Sequence, residues 1–258
     1  MIKIHYMGTC SGTEPMPGMH QTSLVLEVNG VYYWFDAGEH CAYRAQTTGM
    51  DVLQSKAIFI THMHIDHIGG LANLLECINC MVWRKKSQLI HNNCLTVYTP
   101  VPEVFHAVKT VARGSTTVHK FFYDIEEHTV EDGVLYDDGT VRVTALHNSH
   151  LFEDGSKGWH SYSYLIEVEG KRIVCSGDIQ FLKELDPFVK DGCDYLMVET
   201  GHHKVKDVCD YAQSMGAPRL RFYHHGREII NGRSEAEALV ASYPFDIRIA
   251  FDGMTEEI

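Results

Sequence analysis

Residues 61–67 read Thr-His-Met-His-Ile-Asp-His, which places His62, His64, Asp66 and His67 within six positions, directly behind the apolar run 57–60. Imidazole nitrogen and carboxylate oxygen are the donor set that zinc and similar divalent ions take. With 17 histidines in 258 residues some clustering arises by chance. An aspartate between histidines at a strand end is nevertheless the pattern of a ligand loop, not of a solvated surface. Gly69 and Gly70 follow. They either allow close backbone packing behind the loop or form a simple tight turn, and the sequence does not separate the two.

One loop supplies too few donors for a two-metal centre. Four later stretches carry more, each behind a strand-like run: TALHNSHL with His147 and His150, CSGDI with Asp178, ETGHHK with His202 and His203, and FYHHGR with His224 and His225. A histidine pair alone is a weak signal. Five such loops in one chain are a strong one, because loops at strand ends gather at one sheet edge and carry function there.

The elements that must position these loops follow from patterning. Residues 2–7 read as a strand, followed by a Gly/Pro-rich loop through residue 22. A hairpin pairs 23–28 with 31–35 across Asn29-Gly30, a strong two-residue turn signal. Residues 57–60 form a short buried strand, and the spacing of Leu71, Leu74, Leu75 and Ile78 predicts a helix over 68–86. A strand over 95–100 and a helix over 102–111 follow. The second half is built in the same way. It has a strand at 141–145, a hairpin over 162–178 turning near Glu169-Gly170, a strand at 194–200, a helix at 205–215, a strand at 219–225, a helix at 234–242 and a last strand from 246. Hairpins covered by helices, in two similar halves, predict an α+β fold: a four-layer αββα sandwich with two central sheets, built as a single domain over 1–258.

Composition bounds the function. The length is enough to bury a substantial core, and 45% hydrophobic with 22% charged residues is ordinary for a globular protein. The opening MIKIHYMGTC has no apolar stretch of signal-peptide length, and no apolar run of about 18 residues follows. A cytoplasmic protein that engages no membrane is therefore expected. The eight cysteines are scattered and read as free thiols in a reducing compartment. Net charge is −12, and the only dense basic stretch is WRKKS at 83–87. That argues against a general nucleic-acid binder, but not against an enzyme whose metals take up phosphate charge.

THMHIDH at 61–67 resembles the H-x-H-x-D-H signature of the metallo-β-lactamase-fold hydrolases. Other motifs resemble the ribonuclease Z-like branch: YMGTCSGTEP at 6–15, FDAGEH at 35–40 and IFITHMHIDHIGGLANLL at 58–75, with VYTP, CSGDI and AFDGM also fitting. The resemblance runs over nearly the whole chain and implies two divalent ions, zinc by default with manganese or iron as alternatives. It assigns His62, His64 and His150 to one ion, Asp66, His67 and His224 to the other, and Asp178 as the bridge, with His147 and His225 as alternatives in their pairs. Two such ions lower the pKa of a water between them to give a bridging hydroxide near neutral pH. The branch also has a histidine before its last helix that assists at the phosphate or leaving group. His202 is its counterpart here, although GHHK lacks the Ser-Thr that follows in the branch. Glu199 stands three residues earlier, where it would orient His202; the bland alternative is that both are solvated loop residues. Asp66, Glu199 and His202 are thus the candidate catalytic side chains, and Asp36 is expected to orient the histidine loop.

Cys77, Cys80, His91 and Cys94 have the spacing of a zinc knuckle, but the first pair falls in a helix-like segment where buried thiols are common. His20 lies in the first loop, where it could touch substrate, but it reads rather as a solvent-exposed loop residue. The resulting expectation is a dinuclear phosphodiesterase whose partner is a small anionic phosphodiester or nucleotide-type molecule. RNA is the less favoured substrate, because the stretch between Val118 and His150 has no room for the long Gly/Pro-rich arm with which ribonuclease Z grips tRNA. A homodimer is compatible with the sequence. The competing readings are a tRNA 3′-processing endoribonuclease, a lactone, ester or thioester hydrolase, and an inactive metal-binding scaffold. The scaffold is disfavoured because every ligand position is filled.

Overall fold

The computed structural model describes residues 1–89, 91–114, 120–151 and 159–258. The strands are β1 (Ile2–Gly8), β2 (Ser23–Val28), β3 (Val31–Phe35), β4 (Ser55–Phe59), β5 (Cys94–Thr99), β6 (Asp124–Thr129) and β7 (Gly133–Asp137). They continue with β8 (Val141–His147), β9 (Tyr162–Val168), β10 (Lys171–Cys175), β11 (Tyr195–Glu199), β12 (Arg219–Tyr223), β13 (Asp246–Ile249) and β14 (Thr255–Glu257). The chain divides into two compact units, Met1–Thr129 with Phe251–Ile258, and Val130–Ala250.

Each unit holds one mixed seven-stranded sheet, ordered β14-β1-β2-β3-β4-β5-β6 in the first and β13-β12-β11-β10-β9-β8-β7 in the second. The two sheets share a pairing pattern. In the first, β14/β1, β1/β2 and β2/β3 are antiparallel and β3/β4, β4/β5 and β5/β6 are parallel. In the second, β7/β8, β8/β9 and β9/β10 are antiparallel and β10/β11, β11/β12 and β12/β13 are parallel. The expected α+β architecture of two similar halves is thus present. Parallel neighbours deliver their C-terminal ends to the same sheet edge, where ligand loops collect. The loops after β3 and β4 do so in the first unit, and those after β10, β11 and β12 in the second. β8 also ends at that edge, because it and β10 both run antiparallel to β9.

Helices cover one face of each sheet. In the first unit, α1 is Cys41–Thr47, α2 Ile65–Ile68, α3 Leu71–Lys85 and α4 Pro102–Arg113. The α3 residues Leu71, Leu74, Leu75, Ile78 and Val82 pack with Trp34, Ile58 and Val97 of the sheet. This is a helical stripe meeting one face of alternating strands. Each such side chain contributes about 1.5–3 kcal/mol through burial. Rings of Phe35, Phe59, Tyr98 and His128 stack in register across β3 to β6 at centroid distances of 5.1, 5.1 and 4.8 Å, bracing the strand that carries the histidine loop. In the second unit, α5 is Asp186–Val189, α6 Val205–Ser214, α7 Arg227–Asn231 and α8 Arg233–Val240. Val205, Val208 and Ala212 of α6 pack with Val198, Leu220 and Phe222.

The helix expected over 68–86 is in fact two, α2 and α3, separated by Gly69 and Gly70. The break has a packing cause. A Cβ on Gly70 would lie 2.1 Å from the Gly38 carbonyl oxygen and 2.8 Å from Cys41 Sγ, and Gly70 N donates to Ala37 O at 2.9 Å. The glycines therefore serve close backbone approach and not a left-handed turn. The strand expected over 219–225 stops at Tyr223, because His224 adopts φ 50°. Residues 120–151 form β6, β7 and β8 with short connections; Val118, where the expected armless stretch begins, lies outside the described residues. Among the described residues no helix is long and apolar enough to cross a membrane.

Candidate metal centre

In the first unit the histidine loop hangs from Asp36, which directly follows β3 with φ 59° and is 2% exposed. Its Oδ1 accepts Thr61 N at 2.7 Å and its Oδ2 accepts Thr61 Oγ1 at 2.9 Å. Oδ2 also lies 2.7 Å from His67 Nδ1. A carboxylate only accepts, so Nδ1 carries a proton and Nε2 is the ring nitrogen left to face a metal. That Nε2 lies 3.5 Å from Asp66 Oδ2. His62 follows the same logic. The Thr61 hydroxyl proton goes to Asp36, so Thr61 Oγ1 accepts His62 Nδ1–H at 3.1 Å, and His62 Nε2 turns to His64 Nδ1 at 3.0 Å. His62, Asp66 and His67 are buried and His64 is exposed. The loop after β1 presses on the same place: a Cβ on Gly12 would lie 2.9 Å from Asp66 Oδ2.

In the second unit Asp178 follows β10 through Ser176 and Gly177. The Gly177 N–H donates to the Tyr223 hydroxyl at 2.9 Å, which ties this turn to the end of β12. Asp178 Oδ2 lies 3.2 Å from His224 Nε2, 3.7 Å from His150 Nε2 and 3.8 Å from His202 Nδ1. His224 is 1% exposed and holds a left-handed φ, a conformation that costs a non-glycine residue of order 1–3 kcal/mol and that clusters at functional sites. His150, Asp178 and His202 offer donor atoms within 4.8 Å of one another, as do Glu199, His202 and His224.

The two ambiguous pairs separate on geometry. His147 is engaged elsewhere: its Nδ1 lies 2.6 Å from Asp132 Oδ2, and its ring stacks on Trp159 at 3.9 Å. His150 is the member beside Asp178. His225 is fully buried, donates Nε2–H to Ala250 O at 2.8 Å, and is pushed down to about 4 by burial. It is a neutral structural imidazole, and His224 is the member beside Asp178.

Glu199 is wholly buried, so the reading as a solvated loop residue does not hold for Glu199, whereas His202 is exposed in its loop. Glu199 Oε2 accepts His202 N at 2.8 Å, and Oε1 accepts His202 Nδ1–H at 3.0 Å and Ile179 N at 3.4 Å. The His202 ring is thereby fixed at its Nδ1 edge, while its side chain remains 44% exposed. His20 is also not a free surface residue. Asp252 Oδ2 lies 2.6 Å from His20 N and 2.7 Å from His20 Nδ1, and Asp252 Oδ1 accepts Thr9 N and Thr9 Oγ1. Asp252 stands in the AFDGM stretch, where the motif was legible but its partner was not.

Five of the thiols are buried, and Cys77, Cys80 and Cys94 are partly buried. All eight cysteines are free. Burial raises the pKa of Cys77, Cys80 and Cys94, with Glu76 adding to the rise at Cys80. Among the described residues no candidate metal group includes Cys77, Cys80, His91 or Cys94.

The donor set in each unit suits a divalent ion. His67 Nε2 and Asp66 Oδ2 stand 3.5 Å apart in a buried setting, and Asp36 holds the other edge of the imidazole, so two donor atoms of the types divalent ions take converge on one point.

The family model described as Anti-Pycsar protein Apyc1 matches residues 2–229. The chain belongs to this family. A curated ribonuclease Z from Cyanothece sp. is 34% identical over 151 residues, which is 57% of this chain and 43% of that protein. The match thus spans less than half the length of that relative. Among solved structures, the short form of human tRNase Z superposes with a TM-score of 0.74 at 19% identity, covering 99% of both chains. The metallo-β-lactamase-fold protein YhfI from Bacillus subtilis does so at 0.75 and 17%, covering 99% of this chain and 98% of that one. The metallo-β-lactamase fold and the ribonuclease Z likeness read from THMHIDH and its companions therefore stand. Membership of the Anti-Pycsar protein Apyc1 family was not among the expectations, because the motifs that carry the ribonuclease Z likeness report the fold and metal site and do not specify the substrate.

Proposed function

We propose that this chain is a dinuclear metal-dependent hydrolase, a phosphodiesterase acting on a small anionic phosphodiester or nucleotide-type substrate. In this reading the two units act as a single domain. His62, His64 and His150 hold one ion, Asp66, His67 and His224 the other, and Asp178 is shared. The observation that carries the reading is the orientation of His67, whose Nδ1 is held by Asp36 while Nε2 faces Asp66. Zinc is the default occupant, with manganese and iron also compatible with histidine and carboxylate donors. Two such ions supply Lewis acidity and activate water near neutral pH.

The remaining chemistry falls to the chain's own side chains. Asp36 and Thr61 keep the imidazole lone pairs aimed. Glu199 anchors His202 by Nδ1, which leaves the ring's Nε2 edge to meet a phosphoryl or leaving-group oxygen. The net charge of −12 and the short connections from β6 to β8 speak against a broad grip on tRNA. Precursor tRNA therefore ranks behind a small diester. Eight free thiols suit a reducing compartment, and we place the enzyme in the cytoplasm.

The deciding experiment is a hydrolysis panel on metal-loaded protein with phosphodiesters, lactones, thioesters and precursor tRNA. Small phosphodiesters are expected to turn over fastest. Preferential turnover of lactones or thioesters would replace this reading with the ester-hydrolase one, and preferential tRNA cleavage with the processing one.

A further inference from the structure

In the second unit the loops that carry His150 and Asp178 meet at one carboxylate. Glu184 Oε1 accepts the N–H of Ser149 at 2.8 Å, while Oε2 accepts those of Gln180 at 3.0 Å and Phe181 at 2.9 Å. Ser149 immediately precedes His150, and Gln180 stands two residues after Asp178. The contact to Phe181 taken alone is ordinary. Glu184 is the third residue of the short 3-10 helix Leu182–Leu185, and a glutamate there commonly reaches back to the N–H before the first turn. Capping does not account for the bond to Ser149, which lies 35 residues away in the chain and in a different loop.

We propose that Glu184 is a positioning residue of the metal centre, joining the His150 loop to the Asp178 loop and setting the spacing of those two donors. The proposal rests on the reading of His150 and Asp178 as ligands. Other contacts shape the His150 loop itself: Asn148 Oδ1 accepts His150 N at 3.1 Å, and Ser161 Oγ accepts Leu151 N at 2.9 Å. Glu184 spans from one loop to the other. A carboxylate suits that task because both of its oxygens accept, so each loop has one. An amide has a single acceptor and presents an NH₂ group to the second set of N–H donors. The clamp also bears on the substrate side, because Ser149, His150, Ile179 and Gln180 line one pocket together with His202.

The test compares the full-length wild-type chain with Glu184→Gln, measuring zinc affinity by competition with a chromogenic chelator. Amide hydrogen exchange is followed in the metal-free proteins, where no ion contributes to order. Glu184→Gln is expected to lower zinc affinity by about 10- to 100-fold, the range for groups that orient ligands. Exchange should speed up at Ser149 together with Gln180 and Phe181, while β9 to β12 remain protected. Glu184→Asp keeps the charge but shortens the reach, and should show the same loss; it serves as the second variant if Glu184→Gln does not fold. Wild-type zinc affinity in the variants, or faster exchange confined to Gln180 and Phe181, would reduce Glu184 to a helix cap and overturn the proposal. If the wild-type chain itself takes up no zinc, the ligand reading is what fails. In that case the exchange at Ser149 still decides whether Glu184 joins the two loops.

Discussion

Asp36 Oδ2 accepts the Nδ1 proton of His67 at 2.7 Å, and both residues are buried. The aspartate thereby decides which nitrogen of the histidine is offered to a metal. Asp36→Asn keeps the shape but removes an acceptor and introduces a competing donor. It should weaken metal affinity by about 10- to 100-fold without reordering the sheet. Metal retention during graded chelation checks this, and retention equal to wild type would show that Asp36 serves the fold only.

Gly70 leaves room for the Gly38 carbonyl, and the clash for a Cβ is with backbone, not with a flexible side chain. Gly70→Ala is expected to destabilise the protein by roughly 1–3 kcal/mol, the usual range for overpacking. Chemical denaturation measures it. An unchanged midpoint would mean that the loops part at no cost and that close approach is not the reason for glycine.

His202→Ala should retain full metal content and lose roughly 10²- to 10⁴-fold in turnover, the range for a proton-transferring group. The loss should shrink on a diester with a good leaving group if His202 protonates the departing oxygen. It should be equal for good and poor leaving groups if His202 acts on the phosphoryl oxygens by electrostatics. Wild-type turnover with both substrates would leave Glu199 and His202 as a structural pair.

A chromogenic phosphodiester should be cleaved faster than the matching monoester. Among the described residues, the side chains lining the pocket beside Asp178, which are Ser149, His150, Ile179, Gln180 and His202, include no lysine or arginine to clamp a dianion. Comparing kcat/KM for the two substrates decides the matter, and faster monoester turnover would contradict the assignment to diesters.

Much of this architecture is legible in the sequence because local chemistry dictates it. Asn29-Gly30 and Glu169-Gly170 turn their hairpins with positive φ at all four residues, and the leucine stripe of α3 follows from its spacing. The strands β6 and β7 are not legible. Asp-Ile-Glu-Glu-His-Thr lies at a sheet edge and is mostly exposed, so it lacks the apolar alternation by which a strand is recognised. The break between α2 and α3 is invisible because its cause, the Gly38 carbonyl, lies some thirty residues away in the chain. The histidine signature is legible as a donor set. The choice of His150 over His147 at Asp178 depends on Asp132 and Trp159, whose contacts no spacing reveals. The roles of Asp252, Glu184 and Tyr223 are likewise set by distant backbone N–H groups.

The proposed two-ion centre and its phosphodiester hydrolysis are tested most directly by titrating zinc into metal-free protein while following both bound metal and hydrolysis of bis(p-nitrophenyl) phosphate, with Asp178→Ala alongside. Binding should saturate near two equivalents, with hydrolysis rising mainly on the second. Asp178→Ala should hold one equivalent fewer and lose most activity. Saturation at one equivalent or none, absence of diester hydrolysis at full loading, or an Asp178→Ala protein as active as wild type would contradict the account.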